Sequence, residues 1–161
     1  QFLSLRPQKA SLSRLDIKNL EENIRLHLQP LQAVARAIVE GKLPAMRRLI
    51  VIGSAGARHL FPEKGYEAYA YSKMVASYFC RDLAREMAPL GVTINVIAPS
   101  EMALGMNAQV PSKMLALLGA RNPSGKLTSA EEIAGVIQQL LSPLADAING
   151  QEIVLNGGRS L

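Results

Sequence analysis

Three side chains near the middle of this 161-residue chain could together manage a proton on a carbonyl oxygen: Ser54, Tyr69 and Lys73. Tyr69 and Lys73 stand four positions apart, a spacing that puts both on one face of a helix. An ammonium beside a phenol favours the phenolate, lowering a pKa whose unperturbed value is about 10. A tyrosine tuned in this way can give a proton to a carbonyl oxygen while hydride arrives at carbon, or remove it in the reverse oxidation. Ser54 closes a run of apolar residues and could hydrogen-bond the same oxygen. A tyrosine and a lysine at this spacing are also an ordinary amphipathic pair, and Tyr66, three residues upstream of Tyr69, competes for the acid role.

The elements that must hold these residues are legible as periodicity. Residues 1–5 read as a short apolar strand and residues 6–13 as a polar loop containing Pro7. A helix is predicted from about Leu15, with Leu20, Ile24, Leu28, Leu31, Val34 and Ile38 on one buried face, an interruption at Pro30 and an end at Gly41. Residues 48–53 form a β-branched run suited to a parallel strand buried on both faces, followed by a loop over 54–65. A long helix is predicted from about Glu67 to Met87, then a second buried strand over 92–98 after Gly91. Residues 99–111 read as a loop with room for a short helix. Thr128 or Ser129 can cap the last long helix, with Glu131 and Glu132 at its positive end and Ile133, Val136, Ile137 and Leu140 on its apolar face. Residues 152–155 supply a final strand. Alternation of this kind implies a parallel sheet with helices on both faces, in which ligands bind beyond the carboxyl ends of the strands, where Ser54 stands.

Composition narrows the function classes. With 48% hydrophobic and 19% charged residues the chain reads as globular, and no apolar run approaches the roughly 18 to 20 residues of a membrane span. The single cysteine, Cys80, excludes an internal disulfide and any multi-cysteine metal site, so no metal is expected and a reducing cytoplasm is the expected compartment. A net charge of +5 is spread singly or in pairs such as Arg47 and Arg48, and three Phe, four Tyr and no Trp give bases little to stack on, so nucleic acid is not an expected partner.

The run Tyr69-Ala70-Tyr71-Ser72-Lys73 resembles the Tyr-x-x-Ser-Lys form of the short-chain dehydrogenase/reductase family. Its neighbours agree in order: Leu49 to Ser54 is similar to the family's strand ending in the catalytic serine, and Leu83 to Glu86 followed by Gly91 to Pro99 is similar to what succeeds its tyrosine. Residues 125–134 and 150–158 resemble the family's carboxyl-terminal segments, especially in 3-oxoacyl-thioester (acyl carrier protein) reductases. The resemblance implies a three-layer Rossmann-like doubly wound parallel sheet, represented from about its fourth strand onward, with residues 1–161 a partial single domain lacking the glycine-rich turn that approaches the pyrophosphate. It also implies that Tyr69 is the general acid/base, that Ser54 positions the carbonyl, and that Lys73 holds the nicotinamide ribose and lowers the Tyr69 pKa. The cofactor implied is NADP or NAD, the substrate a small molecule or acyl thioester in fatty acid or polyketide metabolism, and the assembly a homo-oligomer, dimer or tetramer, or a hetero-oligomer.

Departures from the family pattern gather on the cofactor side. Residues 2–7 stand where the family has an Asn-Asn-Ala-Gly-like turn. His27 occupies the place of an active-site asparagine whose backbone holds a water of the proton relay, with Asn23 one turn earlier; an imidazole there could both donate and accept, with a charge that varies near neutral pH. The family's Pro-Gly reads Pro99-Ser100, two candidate cofactor contacts, and a nicotinamide-contacting threonine is replaced near Leu104. Ser72 and Tyr71 are expected to pack or make helix contacts, and His59 receives no role. Two functions follow: an active reductase of a carbonyl, or a catalytically silent partner subunit of the same fold with a degenerate dinucleotide site.

Overall fold

In the computed structural model residues 12–58 and 65–159 are described, so the strand expected over 1–5, the turn at 2–7 and His59 lie outside the described residues. Three strands pair in parallel, β1 (Arg48–Ile52), β2 (Thr93–Pro99) and β3 (Glu152–Leu155), in that spatial order. Arg48 stands opposite Thr93 and Ile52 opposite Ile97, while Val96 stands opposite Glu152 and Pro99 opposite Leu155. Among the described residues four α-helices accompany them: α1 (Ile17–Val39), α2 (Glu67–Met87), α3 (Ser112–Gly119) and α4 (Ala130–Leu141).

Side-chain alternation along the strands divides the core in two. Ile94 and Val96 of β2, with Leu49 and Val51 of β1, face α1 and α2, where Leu31, Ala35, Ile38, Ala76, Cys80, Leu83 and Met87 are buried. Ile97, with Ile50, Ile153 and Leu155, faces Ile133 and Leu140 of α4. Helices therefore cover both faces of the parallel sheet, as the alternation of elements implies. Among the described residues β1 is an outer strand, which is why it is only half-buried and Ile52 is 44% exposed, in contrast to the expected burial on both faces.

Local chemistry sets the ends of the helices. Asp16 caps α1 by accepting a hydrogen bond from the Asn19 amide at 3.1 Å, and Ser129 and Glu132 form a reciprocal capping box at the start of α4. Contrary to expectation α1 is not interrupted at Pro30: the proline is on the exposed face, so the hydrogen bond it cannot donate is missing where water replaces it. Helix α3 and the 3-10 turn Ala55–Arg58 were not foreseen by periodicity, both being too short to display one.

Two buried or half-buried asparagines tie the turn before β3 to β2. Asn95 donates to the Ile148 carbonyl at 2.7 Å and accepts from the Gln151 amide at 3.0 Å. Asn149 accepts from the Ile94 amide at 2.8 Å and donates to the Ala84 carbonyl at 3.1 Å. Gly150, next after Asn149, sits at a φ of +70°, a conformation that glycine adopts without steric cost.

Candidate active site

Ser54, Tyr69 and Lys73 meet at the carboxyl end of β1. Gly53 carries the chain out of the strand, its amide still in the ladder with the Ile97 carbonyl at 2.7 Å. A Cβ at this position would lie 2.6 Å from Val96 Cγ1, so only glycine brings the next residue past β2. The chain then winds into the 3-10 turn, where the Gly56 amide donates to Ser54 Oγ at 3.2 Å. The Ser54 hydroxyl keeps its own hydrogen to give, and its presence beside the Tyr69 phenol favours the phenolate.

Tyr69 lies in the first turn of α2, half-buried, with Lys73 one turn on. The Lys73 ammonium is 5.7 Å from the centre of the Tyr69 ring and donates to the Ile52 carbonyl at 3.0 Å. This corrects the expectation that Lys73 brings the phenol down. Burial holds the Tyr69 pKa above its ordinary value, and the opposing influence is the Ser54 hydrogen bond, which favours the phenolate. Burial also lowers the pKa of Lys73 itself. Tyr66, the rival acid, precedes α2 and is 39% exposed.

His27 reaches this group from α1. Its Nδ1 is 3.0 Å from Ser72 Oγ, and its ring meets that of Tyr69 edge to face, centroids 6.0 Å apart and planes at 70°. The Ser72 hydroxyl donates to the Tyr69 backbone carbonyl at 2.8 Å, and both of its contacts are made at once when its oxygen accepts from a protonated His27 Nδ1. Burial first and the nearby Lys73 charge second push the His27 pKa below its ordinary value, against a smaller upward pull from the Asn23 backbone carbonyl. Both influences favour the neutral imidazole over the imidazolium.

Pro99 and Ser100 leave β2 at the same end of the sheet. The Ser100 amide donates to the Leu155 carbonyl at 2.9 Å, and its hydroxyl lies 3.0 Å from Thr128 Oγ1, which in turn donates to the Leu155 carbonyl at 2.8 Å. Ser100 thus binds the loop after β2 to the end of β3, with its hydroxyl engaged by Thr128. Leu104 is 56% exposed. Beside them Arg159 and Glu101 form an ion pair at 2.5 Å, a tie between distant segments that no local pattern announces.

The donors present fit the ribose end of a nicotinamide cofactor: an ammonium with hydrogens beyond the one given to Ile52, and a phenol, side by side at the carboxyl end of a parallel sheet. Among the described residues no group of three or more His, Cys, Asp or Glu could hold a metal ion, and no helix is long and apolar enough to cross a membrane.

Comparison with known proteins agrees with this geometry. A family profile described as Enoyl-(Acyl carrier protein) reductase matches residues 4–160. The 3-oxoacyl-(acyl-carrier-protein) reductase FabG of Salmonella typhimurium is 32% identical over 139 residues, 86% of this chain and 55% of that protein. Cyclohexanol dehydrogenase of Rhodococcus sp. (strain TK6) is 30% identical over 153 residues, 93% of this chain and 56% of that protein. The chain thus spans little more than half the length of these relatives. Among solved structures, the promiscuous reductase LugOII, which catalyses keto-reduction at C1 during lugdunomycin biosynthesis, superposes with a TM-score of 0.78 at 22% identity, over 95% of this chain and 59% of that one. A 4-hydroxyisoleucine dehydrogenase complexed with NADH superposes with a TM-score of 0.76 at 17% identity, over 98% of this chain and 66% of that one, and both share the fold.

Proposed function

This chain belongs to the short-chain dehydrogenase/reductase family, and from that premise we propose that it carries the proton-handling part of an oxidoreductase that reduces a carbonyl, with a 3-oxoacyl thioester as substrate class. The observation that carries the reading is the meeting of three side chains beyond β1: Ser54, held by the Gly56 amide at 3.2 Å, beside the Tyr69 phenol, with the Lys73 ammonium 5.7 Å from the centre of the same ring. The substrate class rests on the FabG relative, whose name specifies a 3-oxoacyl-(acyl-carrier-protein) substrate.

Reduction requires a protonated acid waiting at the carbonyl oxygen. Burial keeps the Tyr69 phenol protonated at neutral pH, so the proton is in place before reaction. A bound reduced nicotinamide, NADPH or NADH, supplies the hydride that the carbonyl carbon takes up. As negative charge grows on the carbonyl oxygen, Tyr69 gives up its proton to it. The phenolate left behind keeps the Ser54 hydrogen bond and lies 5.7 Å, ring centre to ammonium, from Lys73. The Ser54 hydroxyl acts more strongly on the phenolate than on the phenol, which is the condition for lowering a barrier rather than merely binding. Lys73 would also offer hydrogens to the ribose hydroxyls, while burial and the Lys73 charge favour the neutral form of His27. Pro99 and Ser100 would stand near the nicotinamide, with the Ser100 amide and hydroxyl engaged by Leu155 and Thr128.

We further infer a cytoplasmic, oligomeric protein, a reducing compartment suiting the buried free thiol of Cys80. Calorimetric titration of the full-length protein with NADPH and with NADH tests the cofactor step, and absorbance at the reduced-nicotinamide band tests turnover of a 3-oxoacyl thioester. Binding of one nicotinamide with consumption of the thioester is expected. Binding of neither would overturn the reading in favour of a silent partner subunit.

A further inference from the structure

Ser72 is fully buried, at 0% exposure, on α2 between the acid and the lysine. A serine inside a helix commonly turns its hydroxyl back to a carbonyl one turn earlier and does nothing more. Here the hydroxyl makes that bond, to the Tyr69 carbonyl at 2.8 Å, and uses the oxygen a second time, accepting from His27 Nδ1 at 3.0 Å across the gap to α1. The other consequence of His27's placement is its edge-to-face contact with the Tyr69 ring. Both bonds of the Ser72 hydroxyl therefore end at Tyr69, one through the backbone and one through the imidazole.

We propose that Ser72 is a positioning residue for Tyr69: it fixes His27 as the Nδ1–H tautomer, edge-on to the phenol ring, and so sets the angle at which the phenol is presented. The proposal rests on the reading of Tyr69 as the acid and goes beyond it. Ser54 holds the hydroxyl end of the tyrosine, whereas nothing in that contact stops the ring from turning about its long axis or tilting. A rigid imidazole against the ring supplies the second point. His27 can do so only if its own ring is held, and the buried Ser72 oxygen holds it on the side of α2 while the Asn23 carbonyl acts on it from α1. The lowered His27 pKa keeps the ring in the neutral form that this arrangement requires.

The test uses full-length protein carrying Ser72→Ala or His27→Ala. Ring-nitrogen NMR of the unmutated protein is expected to show His27 as the Nδ1–H tautomer, and Ser72→Ala to release it towards the Nε2–H form that free histidine prefers. For reduction of a 3-oxoacyl thioester, Ser72→Ala and His27→Ala are each expected to lower kcat about tenfold with KM changed less than about twofold. An unchanged tautomer or an unchanged kcat in Ser72→Ala overturns the proposal. If Ser72→Ala fails to fold, His27→Ala decides, and an unchanged kcat in it overturns the proposal. If the unmutated protein turns over no ketone, the proposed function fails instead, and the positioning role is judged by ultraviolet titration of the Tyr69 phenol: a midpoint displaced in His27→Ala supports it and an unmoved midpoint overturns it.

Discussion

The Ser54 hydroxyl takes a hydrogen bond from the Gly56 amide and favours the Tyr69 phenolate, so the acidity of the phenol is set by a balance between burial and a single neutral neighbour. The residue types and the four-residue spacing of Tyr69 and Lys73 were legible in the sequence because both are local. The direction of the Tyr69 shift was not, since it depends on how much water the fold removes and on the Lys73 ammonium being drawn to the Ile52 carbonyl. The link from His27 to Ser72 was equally hidden, because it joins residues 45 positions apart. One titration in this region has a definite effect on stability. Burial pushes the Cys80 thiol up to about 11, against an ordinary value of 9.0 and a smaller downward pull from Lys73. Between those values the unfolded chain has released a proton that the native protein retains, so this contribution is whole below about pH 9 and falls away as pH rises towards 11. Urea midpoints at about pH 8 and about pH 10.5 should therefore fall less steeply for Cys80→Ala than for the unmutated chain. An equal fall in both would show that Cys80 does not titrate as its burial demands.

At the scale of elements, α2 was readable to its ends and α1 was not. The span Glu67–Met87 carries its own signals, whereas Pro30 in α1 reads as a break unless one knows that its missing hydrogen bond faces water. Helix α3 escaped because Ser112–Gly119 is too short to show a period, and the asparagine latches at Asn95 and Asn149 escaped because their partners are brought close only by folding. Pro30 still lacks a donor, so Pro30→Ala is expected to raise stability by about 1 to 3 kcal/mol, read as a higher urea midpoint. A lower midpoint would mean that the proline ring makes packing contacts worth more than the bond it forfeits. Removing the capping hydroxyl of α4 acts in the opposite direction. Ser129→Ala leaves the Glu132 amide without its acceptor and should cost about 1 kcal/mol in the same assay.

For the whole molecule, the parallel sheet with helices on both faces followed from the order of elements, but the burial of β1 did not, because a strand's exposure depends on what lies beside it. Among the described residues β1 is an outer strand and half-buried, with Ile52 44% exposed, and an unpaired strand edge of that kind recruits other chains. A protein made of these 161 residues alone is expected to self-associate or aggregate in light scattering, and a monodisperse, cooperatively melting monomer would contradict this. The site itself lies where such sheets hold their ligands, beyond the carboxyl end of β1. The account therefore turns on whether Tyr69 delivers a proton there in the complete protein. The most direct measurement is the rate of reduced-nicotinamide oxidation with a 3-oxoacyl thioester by full-length protein, unmutated and as Tyr69→Phe. A fall in kcat of at least about a hundredfold, in a variant that folds and still binds nicotinamide, is the predicted result; a Tyr69→Phe protein that keeps its full rate would contradict it.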